Sequence, residues 1–204
     1  MNKTLTLALL TAAVTLAGCA GNPINQKTAM NYGEAGWQAV ERGDWTLARE
    51  NYRRAVINGQ LGHSDSAKMA VYYYEYGRAS GVVCEWSEAK DGLELAYEQD
   101  LKSNGPAFMS QIELGRMYKA KRDYSKSAEH FSLGIKGIKK VAGDTKDPTG
   151  YAHLLDEYSF VLEKTGQAEQ AQTYKKQASE IRTSSKGQKA NTDITPYGTQ
   201  CKKG

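Results

Sequence analysis

One short pattern, met four times, constrains this chain more than its composition does. In Arg42-Gly43-Asp44-Trp45-Thr46-Leu47-Ala48-Arg49-Glu50-Asn51-Tyr52-Arg53-Arg54-Ala55 a polar turn leads to an aromatic residue, then Ala48, then Tyr52 four positions on, then Ala55 three later. The order returns as Cys84-Glu85-Trp86 with Ala89, Leu93 and Ala96, as Arg122-Asp123-Tyr124 with Ser127, Phe131 and Gly134, and more weakly as Gly166-Gln167-Ala168 with Ala171, Tyr174 and Ala178. Ahead of each instance, another segment sets a small residue beside aromatics or leucine: Tyr32 with Gly36, Tyr73 and Tyr76 with Gly77, Leu114 and Tyr118 with Gly115, Leu155 and Tyr158 with Ser159. Small residues let two helix axes approach closely while rings fill the space beside them, so the spacing predicts antiparallel helix pairs stacked in series. Only Pro106 and Pro148 interrupt the stretch from Lys27 to Arg182, and long strand-like alternation is absent.

This grammar resembles the tetratricopeptide repeat. The resemblance implies an all-α, right-handed solenoid of about four antiparallel helix pairs over residues 27–182, followed by a flexible tail. Equivalent positions lie 41 (Ala48 to Ala89), 38 (Ala89 to Ser127) and 44 (Ser127 to Ala171) residues apart. The usual period of that repeat is about 34, so the spacing leaves room for a Sel1-like variant; the alternative is the core of an ordinary helical bundle. Expected helices run from Lys27 to Arg42, Trp45 to Asn58, Ser64 to Ser80, Trp86 to Leu101, Pro106 to Ala120, Tyr124 to Val141, Pro148 to Lys164 and Gln167 to Lys186. Pro106 and Pro148 suit first helical turns, Gly43, Gly166 and Asn58-Gly59 suit stops, and Ser64 suits a cap. Gly143 to Gly150 reads as a loop, and residues 183–204, rich in Ser, Thr, Lys, Gly and Asn, read as loose unless something ties them down.

The first eighteen residues are of another kind. Lys3 precedes an apolar run from Leu5 to Leu16 broken by Thr6, Thr11 and Thr15, and Leu16-Ala17-Gly18-Cys19 closes it. About a dozen residues are too few to span a bilayer core of ~30 Å. The segment resembles a bacterial lipoprotein signal with its lipobox; the alternative is an ordinary secretory signal. The resemblance implies diacylglyceryl transfer to the Cys19 thiol, cleavage after Gly18, acylation of the new amino terminus, and residues 19–26 as a lipidated tether. Ala20 stands where an Asp would resemble an inner-membrane retention signal, so the expected place is the outer membrane, facing the periplasm. Loss of Lys3 leaves 26 basic against 23 acidic residues, or +3, which is no nucleic-acid footprint. From Lys175 onward seven basic residues (Lys175, Lys176, Arg182, Lys186, Lys189, Lys202, Lys203) face Glu180 and Asp193, or +5. Such a run is a solvated helix face and chain end, or an attraction to anionic lipid, peptidoglycan carboxylates or an acidic partner.

Two further cysteines remain. Cys84 and Cys201 are disulfide candidates in an oxidising compartment; two free thiols, or pairing between molecules, are the alternatives. Catalytic signals are sparse: His63, His130 and His153 stand in different repeats, and no His-x-x-x-His, Gly-x-Ser-x-Gly or phosphate-loop spacing occurs. No catalytic residue, metal ligand or cofactor is expected.

In the repeat family that the chain resembles, the first helix of each pair lines a groove that takes a partner's peptide or helix. Carried over position by position, the groove candidates are Trp37, Tyr74, Arg78, Ile112, Arg116, Lys119 and Phe160. Arg78, Arg116 and Lys119 form an expected cationic ladder for an acidic segment, with Trp37 and Tyr74 as aromatic anchors. The expected function is a scaffold or assembly factor that holds another envelope protein for a pilus, secretion or cell-wall machine. The alternative is a periplasmic receptor for a small ligand or glycan.

Overall fold

The computed structural model describes residues 21–186, 188–190 and 194–201, and places nine helices and no strand among them. Cys19, Ala20 and the leader lie outside the described residues. The helices are α1 (Pro23–Glu41), α2 (Trp45–Leu61), α3 (Ser66–Val82), α4 (Trp86–Ser103), α5 (Phe108–Ala120), α6 (Tyr124–Lys140), α7 (Gly143–Lys146), α8 (Pro148–Lys164) and α9 (Ala168–Ser184). None is long and apolar enough to cross a membrane.

The repeat is written in the backbone as well as in the side chains. Within each pair, the turn passes through one left-handed residue: Gly43 (φ 71°), Cys84 (φ 70°), Arg122 (φ 61°) and Gly166 (φ 77°). The next residue then reaches back over the helix end, so that the N–H groups of Asp44, Glu85, Asp123 and Gln167 donate to the carbonyls of Ala39, Ser80, Tyr118 and Leu162. This closure satisfies carbonyls that a helix end would otherwise leave unpaired. Between pairs His63 (φ 50°), Asn104 (φ 55°) and Ala142 (φ 54°) hold the same conformation.

Glycine holes and bulky knobs lock each pair. A Cβ on Gly36 of α1 would stand 2.9 Å from the Tyr52 ring of α2, one on Gly77 of α3 2.9 Å from Leu93 of α4, and one on Gly115 of α5 2.7 Å from Phe131 of α6. Tyr52, Leu93 and Phe131 are buried. The partners α1/α2, α3/α4, α5/α6 and α8/α9 pack most extensively, and successive pairs meet through α2/α3, α4/α5 and α6/α8. Each repeat therefore leans on its neighbours alone, as in a linear array.

Several boundaries differ from the sequence reading for local reasons. Helix α1 starts at Pro23 rather than Lys27, because the Asn22 side chain accepts from the N–H groups of Ile24 and Asn25 and Pro23 needs no partner at the first position. Residues 23–26, expected in the tether, are thus the first turn of α1. Helix α2 runs through Asn58-Gly59 to Leu61, and Gly59 is a contact rather than a stop: a Cβ there would lie 2.7 Å from the Met69 sulfur. Asp65, not Ser64, caps α3, its carboxylate accepting from the Lys68 N–H at 2.9 Å. Helix α5 begins two residues past Pro106, and the expected loop after Val141 holds the single turn α7. In the tail, Thr195 and Tyr197 are buried against the array.

Candidate functional site

Helices α1, α3, α5 and α8, the first of each pair, bring two columns of side chains side by side. Glu34, Glu75, Glu113 and Glu157 are separated by 41, 38 and 44 residues, and so are Trp37, Arg78, Arg116 and Phe160. In the two middle repeats this makes Glu75/Arg78 and Glu113/Arg116 neighbours three apart on one helix face. Arg78 Nη1 donates to both Glu75 oxygens at 3.0 Å. Arg116 Nη1 donates to Glu113 Oε1 at 2.6 Å, and its Nε donates to Glu157 Oε2 on α8 at 2.8 Å. Lys119 Nζ pairs with the other Glu157 oxygen, and Arg78 Nε lies 3.9 Å from Glu113.

Three carboxylates and three cations thus alternate across α3, α5 and α8. The expected cationic ladder of Arg78, Arg116 and Lys119 is corrected: their charge is already answered inside the molecule. Burial pushes the Glu113 carboxyl up, but Arg116 and Arg78 outweigh it and hold the group below its ordinary value. At Glu75, burial outweighs the attraction of Arg78 and the carboxyl rises. Burial would lower Arg78 and Arg116, yet Glu75 and Glu113 beside them raise both. Reversing both arginines would leave buried like charges facing one another, so it would break the fold before it tested a partner.

Two more groove candidates are corrected. Ile112 points into the core, where Gly134 packs on it. Tyr74 is a platform for Arg78, whose guanidinium carbon sits 5.5 Å from its ring centre, and burial pushes its phenol upward. Phe160 is exposed at the far end, edge-on to Tyr124 and beneath Lys164. Trp37 is 53% exposed, and with Met30 (57%) and Val71 (56%) it borders a cleft of about 340 Å³ also lined by Glu34, Tyr52 and Glu75. Gln38 donates to Glu34 at 3.0 Å, and no cation stands against Glu34 among the described residues. The first repeat has Trp37 where the middle repeats have arginine.

The acidic column went unnoticed in the sequence reading, although Glu-x-x-Arg recurs at Glu75 and Glu113 with the repeat spacing. The expected Cys84–Cys201 bond is present, but the side-chain contacts by which the tail docks were not anticipated. Cys201 is bonded to Cys84 across a separation of 117 residues, with Cα atoms 5.1 Å apart. Arg78 Nε donates to Thr195 Oγ1 at 2.8 Å, and Tyr197 OH donates to Glu113 Oε2 at 2.9 Å. Burial first, and Glu113 second, push the Tyr197 phenol far up. The three histidines stay apart; His130 Nδ1–H donates to Gln111 Oε1 at 2.8 Å and the ring stacks on Tyr118. Among the described residues no three His, Cys, Asp or Glu side chains are grouped to hold a metal ion.

No family model matches the sequence, and neither does any curated protein. Solved structures do match in shape. The crystal structure of MamA aligns with a TM-score of 0.61 at 19% identity, over 76% of this chain and 79% of MamA. BtubC (BKLC) from P. vanneervenii gives 0.72 at 15% identity, over 81% of this chain and 67% of its own. The fold is a tetratricopeptide-like solenoid. The apo form of RapI agrees, with a TM-score of 0.69 at 15% identity over 78% of this chain and 57% of RapI. These identities establish architecture. The solenoid's own side chains must supply the functional argument.

Proposed function

We propose that this chain is a protein-interaction scaffold, lipid-anchored through Cys19 to the periplasmic face of the outer membrane, that holds another envelope protein. The observation that carries the reading is the cleft at the first repeat. It exposes Trp37, Met30 and Val71 together, with no cation against Glu34 among the described residues. Contiguous exposed apolar side chains around an acidic group suit a partner segment with an aliphatic face and one Lys or Arg. That cation would take the place that Arg78 and Arg116 fill in the middle repeats, against Trp37 and the carboxylates. A pilus, secretion or cell-wall assembly complex is the setting proposed for that partner. The anchor fits the same picture: from Cys19 to Pro23 the chain spans four residues, about 14 Å at full extension, so the first repeat and its cleft stay near the lipid surface.

A photo-crosslinking side chain at position 37, in intact cells, should capture one defined envelope protein, and Glu34→Lys should cut that capture at least tenfold. Equal capture from position 176 on α9, or indifference to Glu34→Lys, would sink the scaffold reading. Palmitate labelling that survives Cys19→Ser would remove the anchor.

A further inference from the structure

Residues 194–201 are held as a bound peptide is held. Ile194 is 48% exposed, whereas Thr195 and Tyr197 are 4% and 9% exposed. The Tyr197 N–H donates to the Thr195 carbonyl at 2.9 Å, a three-residue turn centred on Pro196. The fixed φ of proline suits that turn, and it sends both hydroxyl-bearing side chains into the groove. The groove meets them with a buried carboxylate, Glu113, and a partly buried guanidinium, Arg78. Arg78 reaches Thr195, and Glu113, one oxygen on Arg116, gives its other oxygen to the Tyr197 hydroxyl. Gly81 provides the room, since a Cβ there would overlap the Tyr197 ring. The backbone is caught as well: the Gly198 and Gln200 N–H groups donate to the carbonyls of Gly81 and Val82 at 3.1 and 3.0 Å, and the Gln200 side chain donates to the Gly43 carbonyl.

We infer that the groove between α3 and α5 is a binding site for a turn-forming Thr-Pro-Tyr-Gly peptide, filled in the oxidised protein by residues 195–198 and opened when the Cys84–Cys201 bond is reduced. A dithiol supplies the reduction: it passes two electrons and two protons to the S–S bond, which breaks to two thiols as the dithiol closes to its own disulfide. The bond adds a second tether to the backbone link from α9, and together they hold the tail at an effective concentration that a separate peptide cannot match, in the millimolar class for short tethers. Once it breaks, the tail is an exchangeable ligand, and a protein with a similar segment competes for Arg78, Glu113 and Gly81. The Trp37 cleft adjoins this groove through Glu75, which pairs with Arg78, but Gly81, Glu113 and residues 195–198 do not line it, so the inference stands whatever occupies it.

The probe is a fluorescent peptide with the sequence of residues 194–200, titrated against the full mature chain and read by anisotropy. The double variant Cys201→Ser/Tyr197→Ala, whose tail no longer competes, should bind it at least tenfold tighter than the oxidised wild type does. Adding Gly81→Ala should return binding to the wild-type level, while its methyl leaves the ion-pair network intact. Equal binding by the double variant and the oxidised wild type, with native circular dichroism, would overturn the site. So would tight binding that Gly81→Ala leaves unchanged. Hydrogen exchange on the unmutated protein reads the switch independently: the Gly198 and Gln200 amides should exchange at least tenfold faster after reduction, and unchanged rates would overturn the opening.

Discussion

At Cys84 and Arg122 the backbone takes a left-handed turn that Gly43 and Gly166 take without a side chain. For an L-residue that conformation costs about 1–2 kcal/mol, and glycine gives back about 0.4–1 kcal/mol through the unfolded chain. Arg122→Gly should therefore stabilise the protein by roughly 0.5–1 kcal/mol, read as a higher urea midpoint at unchanged slope. Cys84 keeps the same strained position because its thiol is bonded to Cys201. Glu113 gives a residue-scale pH dependence. Its carboxyl is held below its ordinary value, so its contribution to stability is complete above about pH 4.5 and is lost as pH falls through the lower folded-state value. Over that acid window the one proton contributes up to about 1.4 kcal/mol per pH unit. Chemical denaturation between pH 6 and 3 should show Glu113→Gln less stable at pH 6 but with a flatter acid slope; an unaltered slope would exclude Glu113 as its source.

The elements were largely legible in advance because their signals are local. Tyr52, Leu93 and Phe131 at fixed offsets from Ala48, Ala89 and Ser127 marked the second helices, and Gly36, Gly77 and Gly115 marked the first. Each knob enters the hole of its own pair. Gly115→Val should force the Phe131 ring out of place and cost about 1–3 kcal/mol or more by overpacking, visible as a lower thermal midpoint. Ends were harder to read, because the Asn22 cap is four residues ahead of the first obvious helix former and Asp65 competes with Ser64. Such boundaries depend on which side chain reaches the exposed N–H groups first, and neighbouring polar residues look alike in sequence.

Across the whole molecule, the Cys84–Cys201 bond closes a loop over most of the array. In the chain-entropy picture a separation of 117 residues corresponds to about 4–5 kcal/mol. Replacing both cysteines by serine should lower stability by about 2–4 kcal/mol. Gly198 sits against the Trp86 ring, so the same change should shift tryptophan emission to the red. An unchanged spectrum would mean that the tail stays docked without its bond. The sequence by itself determined that this is an all-α array of four helix pairs, because small and bulky residues at helical spacing pack against partners a few tens of residues away. It also carried the two charged columns, as Glu-x-x-Arg at the repeat period. Tertiary structure alone decided what those columns do. Arg116 meets Glu157 41 residues on, and Arg78 meets Thr195 117 residues on, only because α3, α5 and α8 lie side by side. Burial there makes pairing obligatory, and so a ladder that reads as a cationic groove is a neutral, internally satisfied seat for the chain's own tail.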